Sequence, residues 1–196
     1  MKWSGLFQRW FPLWSPHETR KRGLRKPSSD SSQSSVGMLS PEVTEAVAKA
    51  AHMRLNHNKI IRNIAHMLVG SGEQQAELAE FIAVLCSALR LMLRDCDAGV
   101  TCAIRATCLL TRVKDNQELV ALSPKLKFLA AFIVANKLQE DFDQAVSNRF
   151  WAKTLKGELP QNKLLGLELA FCGAIKFDLA ISPQNLDMWR LILNRV

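Results

Sequence analysis

Two charged residues, Lys137 and Glu168, interrupt otherwise apolar helical stretches in the second half of this 196-residue sequence. Lys137 ends the stretch "LKFLAAFIVANK", and Glu168 stands between Leu167 and Leu169 in "KLLGLELAFCGAI". A buried charge that loses its partner costs about 3–5 kcal/mol, so each side chain must reach either water or an opposite charge. Two outcomes are open. The amine and the carboxylate pair with each other at the helix margins, or each extends to solvent.

Residue types that support metal binding or catalysis are present, but not at the spacings that such chemistry needs. No two cysteines form a C-x-x-C, and no histidine lies at metal-ligand spacing from them. Four of the five cysteines lie in apolar helical segments, which indicates small buried side chains in a reducing compartment. The sequence also lacks a Gly-rich phosphate loop, a nucleophile elbow and a paired-carboxylate site. We therefore expect neither an enzyme nor a bound metal or cofactor. The cysteines and histidines considered for metal binding are Cys86, Cys96, Cys102, Cys108 and Cys172, with His52, His57 and His66.

The elements that must position the two charges are helices. From residue 41 onward the apolar residues recur with helical periodicity, and no β-branched alternation indicates a strand, so we predict an all-α fold. Glycines at 70 and 72 and the stretches 97–99, 116–118 and 157–160 supply the breaks. The helices that carry Lys137 and Glu168 are apolar around most of their surface, which predicts that both lie near the centre. The predicted helices span 41–54, 57–69, 74–94, 98–114, 123–140, 147–156 and 160–177, with a short one from about 184.

Residues 1–38 differ in composition from the rest and are predicted to form a disordered tail, whereas 39–196 form one helical domain. The tail combines an aromatic segment, a basic cluster and a serine-rich linker. Residues 1–40 hold seven Lys and Arg against two acids, so five of the eight net positive charges lie there. No nucleic-acid partner is expected. Several roles stay open for residues 1–26: they could bind a membrane surface, an import receptor or another protein, or have no role at all. We expect an intracellular protein of the nucleus or cytoplasm, with membrane association left open.

Two of these stretches resemble helices of the cyclin box. "FLAAFIVANKLQED" at 128–141 resembles the third helix, in which an alanine pair and an apolar run precede a lysine and acidic residues. "LLGLELAFCGAIKFDLAISP" at 164–183 resembles the fifth helix and its exit, with a glutamate in mid-helix and Phe-Asp-Leu before a proline turn. Arg112 precedes Lys137 by 25 residues, similar to the distance between the arginine that ends the second helix and the lysine that ends the third. The resemblance covers about 98–190 and indicates a diverged, single-box member of the cyclin family, of the phosphate-pathway, neuronal-kinase-activator or viral type.

This resemblance implies a fold, a partner and a set of contact residues. The fold would be a cyclin-box five-helix bundle with extra N-terminal helices. The partner would be a cyclin-dependent-type Ser/Thr protein kinase of the kind that acts in the cell cycle, which the chain activates or redirects. Lys137 and Glu168 would be the kinase-binding pair, with Leu138, Phe142 and Leu169 as further contacts. Docking would hold the regulatory helix of the kinase in its active position, so the chain would supply no catalytic residue.

Two other functions are compatible with the same sequence. One is a cyclin-fold scaffold that binds a non-kinase partner, for example in transcription, because a fold by itself does not define a function. The other is a helical adaptor at a membrane surface, which would depend on the aromatic and basic residues of 1–26.

Overall fold

Helices make up the regular secondary structure in the part of the chain that the structure describes. The computed structural model describes residues 41–113, 119, 121–138 and 146–195. Seven helices and no strand are found in these ranges, which confirms the predicted all-α fold. None of these helices combines the length and the apolar content needed to cross a bilayer. The predicted tail at 1–38 lies outside the described residues. The helices are α1 (Pro41–Val69), α2 (Glu73–Leu93), α3 (Ala98–Leu110), α4 (Pro124–Lys137), α5 (Asn148–Thr154), α6 (Gln161–Ala174) and α7 (Pro183–Arg195).

The first helix is longer than the sequence predicts. Two helices were expected, at 41–54 and 57–69, and this prediction is wrong, because α1 continues unbroken through Leu55 and Asn56. The intervening residues include no glycine or proline, and an asparagine in a helix costs less than about 1 kcal/mol relative to alanine. Nothing at that point interrupts the backbone hydrogen bonds. The helix ends where predicted, at Gly70, whose φ of 75° is poorly accessible to other residues.

The chain divides into two compact units at a point inside α1. One unit ends at Met53, and the other runs from Arg54 to Val196. In the first unit, the described side chains of α1 between Glu45 and His52 are exposed. The second unit contains the remainder of α1 and the other six helices, and it holds the residues on which the functional prediction depends. The boundary predicted at 38/39 lies outside the described residues.

Helices α3 and α4 form the centre of the second unit. They pack most extensively on each other, while α2 covers α3 and α6 covers α4. Residues 128–136 of α4 are all buried, as predicted for a central helix, and so are ten of the thirteen residues of α3. Gly99 allows α2 and α3 to approach closely, because a Cβ at that position would lie 2.3 Å from the carbonyl oxygen of Cys86.

Helix α6 does not lie at the centre, which corrects the prediction for 160–177. Its buried residues are Leu164, Phe171 and Cys172, whereas Leu165 is 48% exposed and Leu169 is 56% exposed. The helix packs on α4 and on α5, and these contacts cover only part of its surface. Its apolar composition predicted burial on all sides, but the number of neighbours that a helix has depends on the topology.

Candidate partner-binding surface

Lys137 and Glu168 form an ion pair between α4 and α6. Lys137 is the last residue of α4 and follows the buried segment 128–136, and Glu168 lies in the middle of α6. The Lys137 Nζ lies 2.7 Å from Glu168 Oε1 and 2.6 Å from Oε2, so the amine donates to both carboxylate oxygens. The packing of α4 on α6 joins two residues that are 31 positions apart in the sequence. Of the two outcomes that the sequence left open, mutual pairing is the one found.

The pair lies at the boundary between the protein interior and solvent. The Glu168 side chain is 13% exposed and the Lys137 side chain is 34% exposed, so the carboxylate is mostly covered and the amine borders on solvent. An exposed ion pair contributes about 0–1 kcal/mol, whereas a buried charge that loses its partner costs about 3–5 kcal/mol. This pair is intermediate between those limits. An ammonium group has three hydrogens, and Glu168 accepts two of them, so one hydrogen is available to an acceptor on another molecule.

A third residue, Asn148, holds the carboxylate from the other side. Its Nδ2 donates to Glu168 Oε2 at 2.9 Å, and the residue is only 7% exposed. Its Oδ1 is buried and has no hydrogen-bond partner. The sequence analysis did not identify Asn148, because it lies 20 residues from Glu168, at the start of a separate helix. Its only local signal is an amide within the segment "SNRFW", which by itself indicates a helix N-terminus.

Contacts from α4 place the N-terminus of α5, and hence Asn148, beside the ion pair. The Oδ1 of Asn136, a fully buried residue, accepts a hydrogen bond from the backbone N–H of Val146 at 2.9 Å. One turn after Asn148, the buried indole of Trp151 meets the ring of Phe132 edge to face, with the ring centroids 5.5 Å apart. Together, these two contacts fix both ends of the first turn of α5 against α4.

Next to the ion pair, α6 presents an exposed surface that the helices of the second unit do not cover. The exposed residues of α6 beyond its first turn are two leucines, Leu165 and Leu169, and two glycines, Gly166 and Gly173. Leucines four residues apart and glycines seven residues apart fall on one side of an α-helix. We call these four residues the α6 outer face. Glu168 follows Leu165 by three residues, one turn along the helix, so the ion pair borders this face at Leu165.

The three additional contacts implied by the cyclin resemblance have different positions. Leu169 belongs to the α6 outer face and is 56% exposed. Leu138 follows Lys137 at the C-terminal end of α4 and is half-buried. Phe142 lies outside the described residues. Leu165, Gly166 and Gly173 were not predicted, although the exposed leucine could have been found from its spacing of four residues from Leu169.

Arg112, which served as a landmark in the sequence, contacts the segment that leaves α6. Its guanidinium donates to the backbone carbonyls of Asp178 and Ala180, both at 2.6 Å. A 3.2 Å contact between Arg112 Nη1 and Asp178 Oδ1 adds an ion pair. Arg112 therefore holds the exit of α6 in place and is not among the contacts of Lys137 or Glu168.

In the described part of the chain, the cysteines belong to no cluster that could hold a metal ion, and most of them are buried. All five are free, and only Cys96 is exposed. Burial raises the pKa of the Cys86 and Cys102 thiols, and so disfavours the thiolate. Burial, followed by the charge of Glu168, also raises the pKa of Cys172. Among the residues described, no three His, Cys, Asp or Glu side chains are grouped so that they could hold a metal ion.

Comparison of this chain with family models, with curated proteins and with solved structures finds no match. The geometry of the ion pair and of the α6 outer face, together with the sequence resemblance described above, is therefore the basis for a functional proposal.

Proposed function

We propose that this chain is a cyclin-type regulatory subunit that binds a cyclin-dependent-type Ser/Thr protein kinase through the Lys137–Glu168 pair and the α6 outer face. The observation that carries this proposal is the two-point ion pair between α4 and α6, with N–O distances of 2.6 and 2.7 Å. It forms between the two residues that the cyclin resemblance implies, and it lies at the protein surface beside exposed leucines.

The surface combines the two features that a helix-binding site needs. The exposed area of Leu165 and Leu169 provides the hydrophobic contribution to affinity, because apolar area removed from water is worth about 25 cal/mol per Å². The ion pair provides orientation, because charged groups at an interface determine register more than total affinity. The third hydrogen of the Lys137 amine can bind a backbone carbonyl of the kinase, and the Glu168 carboxylate can accept a backbone N–H.

The proposed mechanism is allosteric. A regulatory subunit bound to the mobile helix of a kinase favours the conformation in which the glutamate of that helix meets the lysine that positions ATP. The kinase supplies the nucleotide site and the catalytic groups. The contribution of this chain is differential binding to the active conformation, which shifts the conformational equilibrium of the kinase.

An exchange of charges tests the proposal. In the double variant Lys137→Glu with Glu168→Lys, the ion pair can form again with the opposite polarity, so the fold is retained while the charges presented to a partner are reversed. We expect the wild-type chain to bind a member of a panel of purified cyclin-dependent-type kinase domains, measured by calorimetry, and to stimulate its phosphotransfer. The affinity of the double variant for that kinase should be lower by a factor of at least about 100, with an unchanged circular dichroism spectrum.

The chain contains a matched control for this experiment. Lys125 on α4 and Glu77 on α2 form a second ion pair between helices, with an N–O distance of 2.8 Å. The double variant Lys125→Glu with Glu77→Lys makes the same exchange away from the α6 outer face, and we expect less than about a twofold change in kinase binding.

Two results would overturn the proposed function. The first is a wild-type chain that binds no kinase in the panel. The second is undiminished kinase binding by the Lys137/Glu168 double variant. Capture of a transcription-related protein instead of a kinase would favour the scaffold alternative, and flotation of the full chain with anionic liposomes would favour the membrane-adaptor alternative.

A further inference from the structure

Arg105, in the middle of α3, carries a charge for which the described part of the chain provides no acceptor. The residue is half-buried, and its Nε is shielded from solvent without a hydrogen-bond partner. None of the ion pairs between described residues includes its guanidinium. An arginine stays positively charged at neutral pH, and covering part of such a group without an acceptor costs free energy. An acceptor supplied by another molecule would remove this penalty.

Arg112, seven residues further along the chain, shows how the fold satisfies an arginine that it uses. Its guanidinium donates to the backbone carbonyls of Asp178 and Ala180 and forms an ion pair with the Asp178 carboxylate. Arg112 therefore holds two segments of the chain together. The guanidinium of Arg105 joins nothing among the described residues, so its N–H groups are available to a ligand.

Thr101 lies one turn before Arg105 on the same side of α3, and it also has a hydrogen to donate. Its Oγ1 accepts a hydrogen bond from Arg190 Nη2 at 3.1 Å. The hydroxyls of Thr107 and Thr111 instead donate to backbone carbonyls of the preceding turn, at 2.9 and 2.7 Å. The Thr101 hydroxyl makes no such bond among the described residues, so its hydrogen can point to a ligand beside Arg105.

Arg190, on α7, brings a second guanidinium to the same place. One of its N–H groups is used on Thr101, and its side chain is 46% exposed. Its Nη1 lies 3.9 Å from Asp187 Oδ1, which is longer than a hydrogen bond, and the Asp187 side chain is 72% exposed. An exposed pair of this kind contributes about 0–1 kcal/mol. Arg190 can therefore turn towards another anion at little cost.

We propose that Thr101, Arg105 and Arg190 form a binding site for a phosphate group, and we call these three residues the α3–α7 site. Helices α3 and α7 pack on each other, and at this point they present two guanidiniums and a hydroxyl, which all donate. The planar fork of N–H groups on an arginine matches the oxygens of a phosphate. Two positive charges balance a phosphate dianion, whereas a carboxylate would balance only one of them.

The α3–α7 site is separate from the proposed kinase-binding surface. None of its residues is among the contacts of Lys137 or Glu168. The ligand can arrive as inorganic phosphate or as a phosphate monoester on a peptide side chain, because both present the same oxygens. The site would then respond to the phosphate concentration or to the phosphorylation of a partner.

Nuclear magnetic resonance of the full chain tests the site. With arginine side chains labelled, we expect the Nε–H signal of Arg105 to shift saturably when sodium phosphate is added at constant ionic strength. A capped Ala–phosphoserine–Ala peptide should bind the same site, and its unphosphorylated counterpart should not. Tighter binding of the phosphopeptide than of inorganic phosphate would assign the site to a phosphorylated protein, and equal binding would assign it to free phosphate.

Substitutions in and beside the site should change the affinity in opposite directions. We expect Arg105→Gln and Arg190→Gln each to weaken phosphate binding by at least about 10-fold, because each removes a charged donor. Arg105→Lys keeps the charge without the fork and should weaken binding less than Arg105→Gln. Asp187→Asn removes a competing carboxylate and should strengthen binding about two- to threefold. Arg190 is exposed, so its variant tests the site even where Arg105→Gln fails to fold.

Arg62→Gln is the matched control. Arg62 is exposed on α1, so this variant loses the same charge at a different place. We expect less than about a twofold change in phosphate affinity. An Arg105 signal that does not shift saturably with phosphate or with the phosphopeptide would overturn the site. Equal weakening by Arg62→Gln and Arg190→Gln would also overturn it, because phosphate would then be attracted only by the net positive charge.

Discussion

Helices α4 and α6 each contain 14 residues and are closely similar in mean hydropathy, yet the fold uses them differently. In α4, nine consecutive residues are buried, whereas α6 buries three and exposes two leucines. Each helix supplies one member of the ion pair. The difference comes from their neighbours, because α4 packs against α2, α3 and α6, whereas α6 packs against α4 and α5.

This difference shows that an apolar helix is not necessarily a core helix. Helix α4 has used its apolar surface for folding, and the chain comes back to solvent at Lys137, after the buried segment 128–136. Helix α6 retains apolar surface that contributes nothing to the described fold, and exposed apolar surface of this kind often marks an interaction site. Four experiments test this difference between α4 and α6, and they follow in order of decreasing effect.

The largest effect is expected from the same substitution made in each helix. Leu129 in α4 is fully buried, and we expect Leu129→Ala to lower the free energy of unfolding by about 2–5 kcal/mol through lost burial and a cavity. Leu169 in α6 is 56% exposed, and Leu169→Ala should change the free energy of unfolding by less than about 0.5 kcal/mol. Urea denaturation measures both values. Similar losses in the two variants would show that the α6 outer face belongs to the core.

The second experiment compares a glycine that the fold requires with a glycine that the fold does not require. Gly99→Ala forces a methyl group into the backbone of Cys86 and should destabilise the protein by about 1–3 kcal/mol. Gly166→Ala meets no neighbour and should stabilise it by up to about 1 kcal/mol. Thermal unfolding gives the sign of each change. A destabilised Gly166→Ala variant would mean that the α6 outer face is already covered in the free protein.

A smaller effect is expected at the contact that supports the ion pair. Asn148→Ala removes a hydrogen bond to the Glu168 carboxylate, but it also removes a buried carbonyl oxygen that has no partner. These contributions oppose each other, so the net loss in the free energy of unfolding should be about 1 kcal/mol. Asn148→Asp brings a second carboxylate next to that of Glu168, so it should lower the free energy of unfolding by more than Asn148→Ala does. If both variants are as stable as the wild-type protein, Asn148 does not support the pair.

The last experiment leaves stability unchanged and measures access to thiols. Cys102 on α3 is fully buried and donates to the carbonyl oxygen of Phe132 on α4, whereas Cys172 on α6 is 8% exposed. Burial raises the pKa of both thiols, which lowers the reactive thiolate fraction at neutral pH. With a thiol reagent, we expect the exposed Cys96 to react first, Cys172 more slowly, and Cys102 only on unfolding. Faster labelling of Cys102 than of Cys172 would contradict the deeper burial of the α3–α4 interface relative to α6.

Helices, several of their ends and the two members of one ion pair could be predicted from the sequence. Periodicity identified the helices, and the glycines at 70 and 72 and the segment 157–160 marked breaks, because these signals act within a few residues. A charge in an apolar run has few acceptable environments, so Lys137 and Glu168 were left with pairing or exposure to solvent, and the cyclin resemblance implied the pair. Asn148 could not be predicted, since its partner lies 20 residues away and an amide near a helix start has a sufficient local explanation.

By itself, the sequence determined what each segment is: an apolar helix that ends in an amine, and another that carries a carboxylate in its middle. Propensity, periodicity and the cost of an isolated charge are local quantities, so a single chain is enough to evaluate them. Only the tertiary structure decided that α4 lies inside, that α6 keeps two leucines and two glycines at the surface, and that Asn148 completes the ion pair. Burial depends on how many neighbours surround a helix, and that number is a property of the packing of the whole unit.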